Sequence, residues 1–141
     1  VGEIPAYSVS AVQDIPGEKW MPYNPGSNLT PAFPGFPSGH SIFSAASAEV
    51  LKRFTGSDDF GFATLIPAGF GRVEPGIPAV DTILRYETFS DAAEAAALSR
   101  ILGGIHFSED NETGLALGRL IGRQALEKAE KYFNGTARPR H

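Results

Sequence analysis

The apolar residues of the chain recur at helical spacing in three separate stretches. The three predicted helices run from about Ser38 or Gly39 to Phe54, from near Ser90 to the Gly103-Gly104 pair, and from about Asn111 or Glu112 to Phe133. Glycine follows the first two helices and an Asn-Gly pair follows the third, as is usual where helices end. The pattern therefore predicts an all-α fold.

The rest of the sequence has weaker patterns. Seven of the eleven prolines lie in residues 1–37, and this segment shows neither helical nor alternating periodicity, so it is predicted to be an ordered loop. Residues 57–87 are also predicted to be mostly irregular, with weak strand signals in FATLI and TILRYETF. Segments this long without secondary structure are uncommon within one compact domain.

Small residues dominate the second and third predicted helices. Five alanines lie between residues 92 and 97, and the third helix carries Gly114, Gly118 and Gly122. The glycine spacing resembles a membrane dimerisation motif, but Arg119 and Arg123 in the same helix favour close packing in a soluble protein. The sequence offers few partner helices for these faces. We therefore expect residues 1–141 to be a single partial domain, the C-terminal portion of a larger helical protein, that associates with itself or with its own N-terminal part.

Composition excludes several function classes. A chain of 141 residues with a net charge of −4 lacks the excess of basic residues that is typical of nucleic-acid-binding proteins. Its longest apolar runs are too short to span a membrane. The absence of cysteine excludes disulfides, thiolate chemistry and cysteine-based metal sites.

The segment FPGFPSGHS, residues 33–41, places Ser38, Gly39 and His40 where proline-rich backbone meets the start of a helix. The N-terminus of a helix has free N–H groups and a partial positive charge, so it is suited to binding an anion. The simpler alternatives are that Ser38 is only an N-cap and that His40 is an ordinary surface residue.

The segment SRILGGIHFSED, residues 99–110, carries a second group of candidates. Arg100 falls in the last turn of the second helix, His106 follows six residues later, and Asp110 another four residues later. The short connection makes the two helices antiparallel neighbours, so the three side chains should cluster. Arg100 offers a planar fork for oxyanion oxygens, His106 offers a ring nitrogen, and Asp110 can accept the other ring N–H. The alternatives are a cation at a helix C-terminus, a packed core histidine and a helix-capping residue.

Taken together, PSGH and the later SR, His and Asp closely resemble the vanadium-dependent haloperoxidases. They equally resemble the related bacterial acid phosphatases and type 2 phosphatidic acid phosphatases. The likeness runs from about Trp20 to Gly122 and is greatest for bacterial haloperoxidase-type members. The resemblance implies that the chain is the C-terminal part of a haloperoxidase-like helical bundle with long ordered loops, and it suggests an exported or periplasmic protein.

The resemblance also implies roles for the candidate residues. His106 would be bonded to vanadate, or would be the phosphorylated nucleophile of a phosphatase in which phosphate takes the place of vanadate. Asp110 would orient His106, and His40 would be the acid–base group. The implied oxyanion-binding groups are Ser38, the backbone N–H of Gly39, and Arg100.

Phe33 favours the haloperoxidases over the phosphatases. The resemblance places an aromatic residue beside the halide site at this position, phenylalanine in chloroperoxidases and histidine in algal bromoperoxidases, although an ordinary core aromatic is an equal alternative. The family's first motif, a lysine followed by Arg-Pro upstream of PSGH, has no counterpart here, because no Arg-Pro follows Lys19. We therefore expect two cations to be missing from this chain.

Three functions follow from these observations. The first is halide oxidation by peroxide at a vanadate bound to His106. The second is hydrolysis of a phosphate ester through a phosphohistidine on the same scaffold. The third is a non-catalytic fragment that retains the fold.

Overall fold

The protein contains three helices and two β-hairpins, as a computed structural model that describes residues 2–7, 12–23, 33–72 and 74–137 shows. In chain order the elements are β1 (Glu3–Tyr7), β2 (Val12–Pro16), a 3-10 turn (Gly17–Lys19), α1 (Gly39–Thr55), β3 (Asp59–Ile66), β4 (Thr82–Thr88), α2 (Phe89–Leu102) and α3 (Ser108–Phe133). The three helices occupy the predicted places. None of the helices in the described part of the chain combines the length and the apolar character that a membrane span needs.

The expectation of an all-α fold is wrong, because both segments predicted to be mostly irregular form antiparallel hairpins. The weak strand signals in FATLI and TILRYETF are confirmed, since they fall in β3 and β4. β1 pairs with β2, and β3 pairs with β4. Pro5 in β1 obscured the first strand pattern, because proline is uncommon within strands. An irregular register between Asp59 and Phe62 breaks the alternation in β3. Residues 24–32 of the predicted N-terminal loop lie outside the described residues.

Helix α1 has nearly the predicted bounds. Ser38 caps its first turn by accepting the Ser41 N–H, and Gly56 ends it in the left-handed conformation, with φ of 77°. Its large side chains Phe43 and Phe54 are 75% and 79% exposed, although the helical apolar pattern predicts that they would be buried. The buried residues of this helix are Ser41, Ala45 and Ala48. The small side chains of α1, rather than its large ones, therefore face the other helices.

Helix α3 lies against α1 through a row of buried glycines. A β-carbon at Gly114 would lie 2.8 Å from the carbonyl oxygen of Ser38, and one at Gly118 would collide with the carbonyl oxygen of Ile42. The two backbones can approach this closely only because these positions carry no side chain. The predicted close packing of the glycine face against another helix is confirmed, but the expectation that its partner lies outside this chain is wrong, because α1 covers this face.

Helices α2 and α3 are antiparallel neighbours, as predicted. The Asn111 side chain donates to the Ala97 carbonyl near the connection, and Arg119 pairs with Glu94 at 3.0 Å farther away. Increasing residue numbers in α3 thus face decreasing numbers in α2. Helix α3 begins at Ser108, three residues before the predicted start. The antiparallel arrangement places the end of α2 beside the first turn of α3.

Candidate oxyanion site

The imidazole of His106 is held by Asp110. His106 Nδ1 lies 3.1 Å from Asp110 Oδ2, and the two side chains are only 7% and 11% exposed. The same Oδ2 accepts the Phe107 N–H at 3.0 Å, so Asp110 also caps the first turn of α3. The structure therefore shows both contacts that the sequence offered as alternatives for Asp110.

The negative charge of Asp110 fixes the tautomer of His106. The hydrogen bond from the Phe107 N–H lowers the pKa of Asp110, burial opposes this, and the contact with His106 adds to the lowering. Asp110 is thus a carboxylate at neutral pH and can only accept, so Nδ1 of a neutral His106 carries the proton. The Nε2 atom then has a free lone pair that can bond a ligand.

Arg100 and His106 both lie near enough to His40 for their charges to act on it. Arg100 is in the last turn of α2, and its Nε is buried with no hydrogen-bond partner among the described residues. Partial desolvation, the Arg100 charge and the nearby His106 together lower the pKa of His40. An unpaired buried guanidinium nitrogen is costly unless a ligand completes its bonding. The structure thus brings a guanidinium and two imidazoles together in a neighbourhood that suits an anion.

Ser38 and Gly39 lie at the junction between α1 and α3. The Ser38 N–H donates to the Asp110 carbonyl at 3.0 Å, and Ser38 Oγ accepts the Ser41 N–H at 3.4 Å. Ser38 is fully buried in this chain. Gly39 is in the first turn of α1, whose N–H groups have no partner within the helix. Direct contact between these two residues and an anion stays a prediction.

Phe33 is not enclosed by the described part of the chain, since 63% of it is exposed. The proline-rich segment approaches the site at Gly35 instead. A β-carbon at Gly35 would lie 3.6 Å from Asp110 Oδ2 and 3.9 Å from His106 Nδ1. The place of Phe33 in a halide pocket therefore stays a prediction.

Two polar residues beside the site were missed by the sequence analysis. Ser41 and Asn111 are buried, and Ser41 Oγ lies 3.0 Å from Asn111 Oδ1. The available signals were weak: a serine three residues after the helix cap, and an asparagine directly after Asp110. Neither residue type predicts burial by itself.

A family model described as the VCPO second helical-bundle domain matches residues 2–135 of the chain. The chain belongs to this family. It is therefore a member of the vanadium haloperoxidase superfamily, and the resemblance inferred from PSGH and the later SR, His and Asp is confirmed.

Solved structures of bacterial vanadium haloperoxidases match the chain. A bacterial vanadium-dependent chloroperoxidase in its holo and apo forms shows 28% and 29% identity over 93% and 96% of this chain, with TM-scores of 0.77 and 0.80. A bacterial vanadium-dependent iodoperoxidase shows 33% identity over 79% of the chain, with a TM-score of 0.57. The chain spans only 28%, 29% and 23% of the length of these three structures. No curated protein matches it.

Proposed function

We propose that this chain supplies the vanadate-binding residues of a vanadium-dependent haloperoxidase, which oxidises halide with hydrogen peroxide. The observation that carries the proposal is the buried Nε of Arg100, which has no hydrogen-bond partner among the described residues and belongs to a side chain close to His40. The matching bacterial chloroperoxidase and iodoperoxidase, both described as vanadium-dependent, support the choice of anion and of reaction.

The residues of the site fit a tetrahedral or trigonal oxyanion. Nε2 of His106 would bond the vanadate, because Nδ1 is already held by Asp110. Arg100 and the N–H of Gly39 would hold the negatively charged oxygens. Two hydrogen bonds donated to Asp110 Oδ2, from His106 and from the Phe107 N–H, partly offset the negative charge of this carboxylate. When bound, vanadate supplies the electrophilic centre at which peroxide is activated.

His40 is suited to proton transfer at this site. Because its pKa is lowered, the imidazole of His40 is neutral at neutral pH and has a ring nitrogen free to accept a proton. Peroxide entering the site would give its proton to that nitrogen, and the protonated ring could return the proton when the oxidised halide leaves. The small-molecule substrates in this proposal are peroxide and halide.

The proposal is tested by titrating the purified protein with vanadate. His106→Ala should abolish vanadate binding and halide oxidation, because it removes the only atom assigned to bond the anion. Phe107→Ala is the matched control, since the adjacent Phe107 is 78% exposed. Equal vanadate affinity in the wild type and in His106→Ala would refute the assignment.

Activity assays on the same purified protein distinguish the remaining functions. Phosphate-ester hydrolysis without halide oxidation would indicate the phosphatase activity, with phosphate in place of vanadate. Vanadate binding without either activity would indicate a non-catalytic role, consistent with the lack of a Lys and Arg-Pro motif upstream of PSGH in this sequence.

A further inference from the structure

The connection between α2 and α3 is a tight turn that ties Arg100 to His106. The Gly104 N–H donates to the Ile101 carbonyl at 2.9 Å, and the Ile105 N–H donates to the Arg100 carbonyl at 3.2 Å. Gly104 has a left-handed backbone, with φ of 70°, which glycine adopts more easily than other residues. Because Ile105 directly precedes His106, a shift of this turn moves His106 relative to Arg100.

A segment from the N-terminal part of the chain, residues 20–23, lies directly against this turn. A β-carbon at Gly104 would lie 3.1 Å from Trp20 Cζ2, 3.1 Å from the Cα of Pro22 and 3.2 Å from the backbone nitrogen of Tyr23. Two of these three atoms belong to the backbone, so they cannot rotate out of the way as a side chain can. Gly104 therefore leaves no room for a side chain between the turn and residues 20–23.

Local hydrogen bonding fixes the start of this segment. The 3-10 turn Gly17–Lys19 follows β2, and the Trp20 N–H closes it by donating to the Gly17 carbonyl at 3.2 Å. Trp20 is 41% exposed, so more than half of it is covered by the rest of the protein. The N-terminal hairpin and its 3-10 turn thus hold an aromatic ring against the turn that precedes His106.

We propose that Trp20 and Gly104 are positioning residues of the oxyanion site. The contact of residues 20–23 with Gly104 holds the turn, and the Ile105–Arg100 hydrogen bond carries that restraint to both sides of the site. Neither Trp20 nor Gly104 needs to contact the anion. A displacement of about 1 Å in a catalytic group can cost roughly 100-fold in rate, so a restraint of this kind has a measurable effect. This inference rests on the proposed function and adds two residues to it.

The test compares two glycines that have the same backbone conformation. Gly104 and Gly135 have φ of 70° and 68°, but a β-carbon at Gly135 would have nothing within 4 Å. Gly104→Ala and Gly135→Ala therefore have a similar backbone cost, and only Gly104→Ala displaces residues 20–23. The vanadate affinity of Gly104→Ala should be roughly 10- to 100-fold lower than that of Gly135→Ala, as for other groups that act through a ligand residue.

The fluorescence of Trp20 tests the contact itself, because Trp20 is the only tryptophan of the chain. Its emission should shift to longer wavelength in Gly104→Ala, as is typical of an indole that moves into water, and should stay unchanged in Gly135→Ala. Trp20→Ala should also weaken vanadate binding, whereas Trp20→Phe should keep most of the affinity, since a second flat ring can cover Gly104. The two Trp20 variants decide the inference even if Gly104→Ala does not fold.

Three results would count against these assignments. An emission shift in Gly104→Ala without a loss of vanadate affinity would show that the contact is purely structural, and would overturn the inference while the proposed function stays intact. Equal vanadate affinity in Trp20→Ala and the wild type would overturn it in the same way. A wild-type protein that binds no vanadate would overturn the proposed function, and the inference with it.

Discussion

Single residues of the site serve folding and chemistry together. Asp110 caps α3 through the Phe107 N–H, orients His106 through its carboxylate, and receives the Ser38 N–H on its backbone carbonyl. Three contacts from one residue fix the relative positions of the histidine and the start of α1. Substitutions here should therefore affect stability as well as anion binding.

The first prediction concerns Asp110. Asp110→Ala should weaken vanadate binding by roughly 10- to 100-fold, because His106 loses the partner that fixes its tautomer. Asp110→Asn should lose less vanadate affinity, since an amide oxygen in the place of Oδ2 can still accept hydrogen bonds from His106 and Phe107. Vanadate titration measures the affinity of both variants. Urea unfolding measures separately the stability that is lost with the helix cap. Unchanged affinity in Asp110→Ala would contradict the prediction.

The second prediction concerns the pH dependence of anion binding through His40. Desolvation, Arg100 and His106 lower the pKa of His40, so it gains its positive charge only below its ordinary value of about 6.5. Sulfate, whose own charge is constant in this range, should bind more tightly as the pH falls through the lowered pKa. His40→Gln should remove this part of the increase. A pH profile that is identical in His40→Gln and the wild type would show that His40 does not face the anion.

At the scale of elements, close backbone packing joins α3 to α1, and the Asp58 carboxylate joins α1 to α2. The glycines of α3 let its backbone approach that of α1. Asp58, between α1 and β3, accepts hydrogen bonds from Lys52 of α1 at 2.9 Å and from the Ser90 hydroxyl of α2 at 2.7 Å. The glycines thus join α1 to α3, and Asp58 joins the end of α1 to the start of α2.

The third prediction tests the glycine packing. Gly118→Ala would place a methyl group against the Ile42 carbonyl and the Ala45 side chain. We expect a loss of about 1–3 kcal/mol in the free energy of unfolding, even though alanine is the better helix former by about 1 kcal/mol. Urea denaturation checks this, with Ala116→Leu at an exposed position of the same helix as the control. A more stable Gly118→Ala protein would show that the two backbones are not in contact.

The fourth prediction concerns Asp58 and pH. Burial raises the pKa of Asp58, but hydrogen bonds from Lys52 and Ser90 outweigh this and leave the pKa below its ordinary value. A lowered carboxyl pKa adds stability above the unfolded pKa of about 3.9, and this stability is lost as the pH falls through the folded pKa.

Asp58→Ala should therefore destabilise the protein by about 1–3 kcal/mol at neutral pH and by less in acid. Thermal unfolding measured across the acid range checks this. Asp59→Ala is the control, because Asp59 is exposed and its side chain accepts from Ser57 next to it. An equal loss at neutral and acid pH would rule out the carboxylate as the cause.

At the scale of the whole molecule, the described chain leaves much apolar surface uncovered. An apolar groove between α1 and α3 includes Val50, Leu51, Ile121 and Ala125, and another groove lies between α2 and α3. Leu51 and Ile121 are 44% and 42% exposed. Large exposed apolar patches usually mark interaction surfaces. We propose that the 141-residue chain associates with itself or with the N-terminal part of its own protein.

The fifth prediction follows from these grooves. The purified 141-residue chain should show a concentration-dependent increase in mass by light scattering. Leu51→Gln with Ile121→Gln should shift it toward the monomer, because the groove between α1 and α3 loses apolar area. Leu65→Gln, at an exposed position of the β3–β4 hairpin, should leave the association unchanged. A monomer at every concentration would contradict the proposal.

The sequence by itself determined the features that local chemistry controls. The helical periodicity, together with Ser38 and Gly56 on either side of it, was sufficient to predict the bounds of α1, because caps act through neighbouring backbone groups. The spacing of Arg100, His106 and Asp110 around a Gly-Gly turn was sufficient to predict the pairing of His106 with Asp110. The same motifs identified the superfamily.

Only the tertiary structure decided the features that depend on contacts between distant segments. The β1–β2 hairpin escaped prediction and the β3–β4 hairpin gave only weak strand signals, because strand pairing is a non-local contact. Ser41 and Asn111 gained importance only when α1, α2 and α3 packed around them, since a hydrogen bond across 70 residues leaves no periodic trace in the sequence.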